Sequence, residues 1–113
     1  MTKLGSRQKA LLFEAYRRYK MYTGTRLPIT EQWLGLGTEA AYRTMINAGF
    51  MKFFDGVTPE PRCMGWLVLT KKGVKILHEY ENEFKERLEE MKKLGYEKSI
   101  LANFQLAGGI TSR

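Results

Sequence analysis

Cysteine and histidine, which often serve as nucleophiles, general bases or metal ligands, occur once each, as Cys63 and His78. One thiol cannot form a disulfide within the chain, and one thiol with one imidazole cannot complete a zinc site. The carboxylates do not combine with His78 and a nucleophile in a recognisable catalytic spacing, and no pair of them stands out for acid–base chemistry. The sequence therefore predicts a protein that is not an enzyme and that needs neither a metal nor a cofactor.

Lysine and arginine are the remaining groups with a distinctive chemistry, and they are concentrated in two parts of the chain. The formal net charge is +7. Residues 1–26 hold seven Lys/Arg against Glu14 alone, and residues 57–78 hold four against one Glu. Clustered cations attract polyanions, among which nucleic-acid phosphate is the obvious candidate. The distribution favours a nucleic-acid partner, although a basic surface that serves only solubility is an alternative.

Length and hydropathy set the scale of the molecule. The 113 residues, of which 43% are hydrophobic, suffice for one domain with a modest core. The longest apolar runs span only a few residues, too few to cross a bilayer, and no apolar stretch of signal-peptide length follows Met1. We therefore expect no membrane association and a cytoplasmic location.

Helix-capping residues, together with two-faced helical wheels for the first and third segments, predict three helices in the N-terminal half of the chain. Each is preceded by a Ser or Thr that can cap it and followed by a Gly that can end it. The residue before Pro28 is steered away from the helical region, so extended chain separates the first two helices. The predicted helices span residues 6–22, 30–34 and 38–48, with Ser6, Thr30 and Thr38 at their starts and Gly24, Gly35 and Gly49 after them.

The first and third of these helices have two distinct faces. On the first, the residues predicted to lie away from the apolar face are Arg7, Glu14, Arg17 and Arg18. On the third, the apolar residues are Ala41, Tyr42, Met45, Ile46 and Ala48, and the opposite face carries Glu39, Ala40, Arg43, Thr44 and Asn47. We expect the apolar face to pack and the opposite face to remain available to a partner.

An aromatic run followed by a second apolar run predicts a β-hairpin. Its strands are residues 50–54 and 63–69, and Pro59 and Pro61 place the tip between them because proline cannot donate to a strand ladder. Thr70 is then the expected N-cap of another helix.

This last long helix is predicted to run from Thr70 to about Leu94, with Gly95 after its end. It has a narrow apolar stripe between charged flanks, the pattern of a helix that pairs with another helix. The members of this C-terminal stripe, predicted as a dimer interface, are Leu77, Tyr80, Phe84, Leu88, Met91 and Leu94. Arg87 interrupts the stripe, and a further short helix is predicted over residues 98–106.

Two local sequences, Met45-x-x-Ala48-Gly49-Phe50 and Trp66-Leu67-Val68-Leu69-Thr70-x-x-Gly73, carry a resemblance to a known family. With the order helix, short helix, turn, helix, hairpin and helix, residues 6–80 resemble the winged helix-turn-helix family of DNA-binding domains. The resemblance implies a mainly α fold with a small β-hairpin (α+β) and a long C-terminal helix. It assigns residues 1–78 to a winged helix-turn-helix domain. Residues 79–113 then form a C-terminal helical extension, which the apolar stripe predicts to serve dimerisation.

The resemblance also implies a set of DNA contacts. Helix 38–48 takes the place of the recognition helix, which enters the major groove and meets base edges. Arg43 could pair with guanine and Asn47 with adenine, while the hairpin and the first helix hold backbone phosphates. The residues implicated in this way are Arg17, Arg18, Thr38, Glu39, Arg43, Thr44, Asn47, Lys52, Arg62 and Lys71.

Two functional hypotheses follow from this resemblance. The first is a homodimeric transcriptional regulator of bacterial or phage type that binds a palindromic double-stranded DNA site. The second is a protein–protein interaction module or inhibitor from a mobile element that binds a nucleic-acid-handling complex. The second hypothesis draws on the single positive charge of helix 38–48 and on Asp55 and Glu60 near the predicted hairpin tip.

Overall fold

The computed structural model of the protein describes residues 3–21, 27–30, 38–54 and 63–95. These residues are mainly helical with a small antiparallel sheet, which confirms the predicted α+β class. In chain order the elements are α1 (Ser6–Met21), β1 (Leu27–Thr30), α2 (Glu39–Asn47), β2 (Met51–Phe54), β3 (Cys63–Leu69), α3 (Lys71–Glu79) and α4 (Glu81–Lys93).

The sheet has three strands in the order β1-β3-β2, and both neighbouring pairs are antiparallel. The predicted pairing of β2 with β3 is confirmed, with Met51 opposite Leu69 and Phe54 opposite Trp66. Strand β1 is an addition that the sequence did not predict: Thr30, expected to start a helix, instead ends a strand. A free edge of β3 needs hydrogen-bond partners, and the extended chain around Pro28 provides them.

The rest of the helix predicted at 30–34, the hairpin tip and the helix predicted at 98–106 lie outside the described residues.

Helix α1 is the centre of the core, since every residue from Ala10 to Arg17 is buried. The helix packs against β1, α2, α3 and α4. The largest completely buried apolar side chains, which come from helices and strands alike, are Phe13, Phe84, Leu11, Leu12, Leu27, Met45, Met51 and Leu67.

The predicted outward position of Glu14 and Arg17 is wrong. Their exposed fractions are 0% and 2%, because neighbouring elements surround the middle of α1. The two side chains form an ion pair, with Arg17 Nη2 2.9 Å from a Glu14 carboxylate oxygen and Arg17 Nε also donating to that carboxylate. Pairing and hydrogen bonding are what make a buried charge tolerable.

The long C-terminal helix predicted from Thr70 onwards is interrupted at Tyr80, which separates α3 from α4. Tyr80 has φ −98° and ψ 3°, outside the helical region. Its ring stacks on Phe84 with centroids 5.6 Å apart, and its hydroxyl accepts a hydrogen bond from the Leu4 N–H at 3.2 Å. The ammonium of Lys9 lies 5.2 Å from the same ring. These contacts hold the break and the start of α4 against α1.

The C-terminal stripe is consequently part of the core of a single chain and not the exposed surface that the sequence predicted. Five of its six members are buried, namely Leu77, Tyr80, Phe84, Leu88 and Met91. Only Leu94, which is 64% exposed, remains on the surface. The sequence pattern correctly identified a helix that packs on another helix, but the partner is α1 of the same chain. The predicted dimer interface through this stripe is therefore wrong.

Candidate nucleic-acid interface

Helix α2 presents the face that the sequence assigned to a partner. Its buried residues are Ala41, Tyr42 and Met45. The five residues predicted to point outward are all exposed: Glu39, Ala40, Arg43, Thr44 and Asn47. The two-faced character of this helix is thus confirmed, and four of the predicted DNA-contacting residues lie together on its surface.

Thr38 does not belong to this surface. It occupies the N-cap position of α2, but its side chain is completely buried and makes no capping hydrogen bond. Its backbone is helical, with φ −84° and ψ −8°, and its carbonyl accepts the Tyr42 N–H at 3.0 Å. The prediction that Thr38 contacts DNA is therefore wrong, because its side chain faces the protein interior.

Arg43 is held in place by its neighbours on α2. Oε1 of Glu39 accepts hydrogen bonds from Nη2 of Arg43 at 3.0 Å and from Nε at 3.3 Å. The Arg43 guanidinium carbon lies 5.7 Å from the centre of the Tyr42 ring. The hydrogen bond to Glu39 raises the pKa of Arg43 above its ordinary value, so the guanidinium remains charged. Both partners stay accessible, with side-chain exposures of 63% for Arg43 and 53% for Glu39.

Thr44 and Asn47 offer different contacts. The Thr44 hydroxyl donates to the Ala40 carbonyl at 2.8 Å, one turn earlier in the same helix. Its proton is therefore committed, and its oxygen can act only as an acceptor towards a ligand. Asn47 is exposed at the end of α2 and carries an amide that can both donate and accept.

The end of α2 is shaped by Gly49. Its φ of +85° lies in the left-handed region that favours glycine. Two amides of the turn form hydrogen bonds to carbonyls at the end of α2. The Gly49 N–H donates to the Ile46 carbonyl and the Phe50 N–H donates to the Met45 carbonyl, each at 2.9 Å. Such a glycine-centred ending satisfies carbonyls that the helix would leave unpaired. The predicted helix stop at Gly49 is confirmed.

The start of α3 is hydrogen-bonded to this turn. The Thr70 hydroxyl accepts from the Gly73 N–H at 3.1 Å, which confirms the predicted N-cap. The same hydroxyl donates to the Gly49 carbonyl, and the Thr70 N–H donates to the Phe50 carbonyl at 3.1 Å. The two local sequences that carry the family resemblance therefore contact each other directly.

Lys72 adds a contact that the sequence did not predict. Its ammonium donates to the Ala48 carbonyl at 2.9 Å and lies 5.0 Å from the centre of the Phe50 ring. In the sequence, a lysine in the first turn of a helix looks like an ordinary solvent-exposed residue. Its contact with Ala48 is visible only in the three-dimensional structure. Together Thr70 and Lys72 bind the end of α2 to the start of α3, which fixes the exposed face of α2 relative to the sheet.

The residues that the sequence predicted to contact phosphates differ in their exposure. Lys52 and Lys71 are exposed and Arg18 is partly buried, whereas Arg62 lies outside the described residues. Arg17 cannot reach a phosphate because it is buried in its pair with Glu14, so that prediction is wrong. Within residues 38–54 and 63–78, five Lys/Arg face one acidic residue, which gives this part of the molecule a formal charge of +4.

No protein family, curated protein or solved structure matches the chain significantly. Among the described residues, His, Cys, Asp and Glu form no group of three or more that could hold a metal ion. In the same part of the chain, no helix has the length and apolar character required to cross a membrane.

Proposed function

We propose that this chain is a winged helix-turn-helix DNA-binding domain of a transcriptional regulator, in which α2 reads the major groove and strands β2 and β3 lie along the backbone. The single observation that carries this proposal is the exposed polar face of α2, which is anchored at the turn around Gly49. A helix with its side chains has a diameter close to the width of the major groove of B-DNA.

The side chains on this face have the chemistry that base reading requires. Arg43 and Asn47 are four residues apart and so share one side of α2. A guanidinium can pair with two acceptors of guanine, and a carboxamide can pair with the donor and acceptor of adenine. Lys52 and Lys71, which are exposed on β2 and at the start of α3, supply charges for flanking phosphates.

Fluorescence anisotropy with a labelled random-sequence duplex tests the proposal. We expect binding at low salt and a linear fall of log K with log salt concentration, because bound cations displace counterions from the phosphates. Replacing Arg43 and Asn47 by Ala should abolish the preference for a selected duplex over the random duplex while leaving the unfolding transition unchanged. A matched control replaces Asn82 and Lys85, an exposed amide and cation on α4, by Ala. Absence of binding at low salt would overturn the proposal.

A regulator of this class would bind as a homodimer, with two copies of α2 about one turn of DNA apart. Since the C-terminal stripe is buried, such a dimer must use another surface. Selection of binding sites from a random duplex pool distinguishes the cases. A palindromic consensus supports a dimer on DNA, and a single half-site supports a monomer.

One observation favours the second candidate function, a protein-binding module. Phe53 is 52% exposed on β2, an edge strand of the sheet, and exposed aromatic residues are common at protein interfaces. Its ring meets Tyr42 of α2 edge-on, with centroids 6.0 Å apart. Affinity capture from lysate with and without nuclease separates the alternatives. Partners that survive nuclease and are lost with Phe53→Ser support the module, whereas partners lost on nuclease treatment support DNA binding.

A further inference from the structure

We infer that Glu39 is a positioning residue that presents the outer edge of the Arg43 guanidinium to a guanine base. The inference rests on the proposed function and concerns the specificity of the same site. In this role the acidic residue of the proposed DNA-reading helix orients a cation. From its charge alone, Glu39 would be expected only to repel phosphate.

The geometry of the ion pair supports this assignment. A guanidinium has a side edge formed by Nε and Nη2 and an end edge formed by Nη1 and Nη2. Glu39 Oε1 accepts from Nε and Nη2 of Arg43, so it occupies the side edge. The end edge keeps two parallel donors, which is the arrangement that pairs with O6 and N7 of guanine.

The aromatic side chains next to the pair restrict Arg43 further. The ring of Tyr42, 6% exposed, lies 5.7 Å from the guanidinium carbon and meets Phe53 at an interplanar angle of 78°. Tyr42 is therefore fixed between α2 and β2, and Arg43 contacts a rigid ring on one side and a carboxylate on another. A donor pair that is already oriented loses less conformational entropy when it binds a base.

The pair also disfavours phosphate as the ligand of Arg43. A phosphate would bring its negative charge close to the Glu39 carboxylate, whereas a guanine edge is neutral. An exposed pair of this kind contributes little to folding, so its value for stability does not explain the arrangement. Base reading accounts for both the occupied edge and the free edge.

The test begins with sites selected by the full chain from a random 20-base-pair duplex pool, followed by anisotropy on the selected duplex and its single-base variants. We expect one guanine whose replacement weakens binding at least about fivefold, the lower range for a bidentate contact. In Arg43→Lys this preference should weaken, because an ammonium lacks the planar pair of parallel donors that a guanidinium presents.

Variants of Glu39 then separate orientation from charge. Glu39→Ala should lose the guanine preference, bind random duplex more tightly and steepen the salt slope by up to about 0.9, as expected when Arg43 is free to contact a phosphate. Glu39→Gln keeps an acceptor oxygen and should retain the preference while also binding random duplex more tightly. Glu89→Ala is the matched control, since Glu89 pairs with Lys92 at 3.8 Å on the surface of α4. This control should leave the preference unchanged.

Three outcomes would overturn the inference or its basis. If the guanine preference survives in Glu39→Ala, Glu39 does not orient Arg43 and acts only by repelling phosphate. If the wild-type chain binds duplex without any guanine preference, guanine is not the ligand of Arg43. In both cases the proposed function stands. Absence of duplex binding by the wild-type chain, with a normal unfolding transition, would instead overturn the proposed function itself.

Discussion

Gly73, in the first turn of α3, lies directly against the backbone of Phe50, the residue that leads from α2 into β2. A Cβ atom placed on Gly73 would be 2.0 Å from the Phe50 carbonyl oxygen and 3.1 Å from Cδ2 of Leu69. The same carbonyl accepts the Thr70 N–H, so it cannot swing away without breaking a hydrogen bond. Helix α3 can therefore approach the end of α2 this closely only with glycine at position 73.

Gly73→Ala should accordingly lower the free energy of unfolding by about 3 kcal/mol or more, at the upper end of overpacking costs, because backbone atoms must move to admit the methyl group. Urea denaturation followed by circular dichroism measures the change. Gly95→Ala is a useful comparison, since Gly95 has a φ of +78° but no atom within 4 Å of the added Cβ. It should cost only the local strain of about 1–2 kcal/mol. Equal losses in the two variants would contradict the close approach.

The Thr70 hydroxyl links Gly73 and Gly49, so its removal should affect both the helix start and the turn. Thr70→Ala should cost about 1–2 kcal/mol, the range for loss of an N-cap hydrogen bond. Thr70→Ser keeps the hydroxyl and should therefore retain most of the free energy of unfolding that Thr70→Ala loses. If the serine variant is as unstable as the alanine variant, the methyl group and not the hydrogen bonds would be responsible.

Much of this region could be predicted from the sequence because its signals are local. Gly49 and Thr70 are typical helix-ending and helix-starting residues, and the alternation of faces on α2 follows from helical periodicity. Their mutual hydrogen bonds depend on how the sheet brings residues 21 positions apart together. Neither Lys72 binding Ala48 nor Gly73 touching Phe50 has a signal in the local sequence.

The errors of the sequence interpretation have a common physical cause. Periodicity identifies which residues of a helix are apolar, but it does not identify what covers them. Glu14 and Arg17 were expected to face solvent, yet neighbouring elements surround the middle of α1. The C-terminal stripe was assigned to a second chain, yet α1 of the same chain covers it. Tertiary packing, and not helix propensity, determined both outcomes.

The buried pair of Glu14 and Arg17 makes a prediction that separates a role in folding from a role in the proposed DNA binding. Arg17→Ala leaves the Glu14 carboxylate buried without its guanidinium and should cost about 3–5 kcal/mol. Replacing both residues by similarly sized apolar side chains, Glu14→Leu with Arg17→Met, should recover most of that loss. Thermal unfolding of Glu14→Leu, Arg17→Met and the double variant gives the coupling free energy of the pair. If Arg17→Ala were instead folded with normal stability and bound DNA more weakly than the wild-type chain, Arg17 would belong to the proposed DNA-contacting surface.

Arg87 is the residue of α4 whose charge is least well accommodated. Its Nη1 is buried and finds no hydrogen-bond partner among the described residues, and its guanidinium carbon lies 5.2 Å from the Phe13 ring. Burial lowers the pKa of Arg87 below its ordinary value. Arg87→Met keeps the length of the side chain and removes the desolvated charge, so it should leave stability unchanged or raise it by up to about 2 kcal/mol. A clear loss of stability would show that the contact between the guanidinium and the Phe13 ring outweighs the cost of burying the charge.

Variants in the C-terminal stripe test whether it packs within one chain or between two chains. Phe84 is completely buried and its ring contacts Phe13, with centroids 5.5 Å apart, whereas Leu94 is 64% exposed. Phe84→Ala should lower the free energy of unfolding by about 3–5 kcal/mol through loss of core packing. Leu94→Ala should change it by less than about 0.5 kcal/mol, as expected for a surface position. Light scattering on each variant measures the mass alongside stability. If Phe84→Ala converted a dimer into a monomer of normal stability, the stripe would be an interface between chains, as its sequence pattern first suggested.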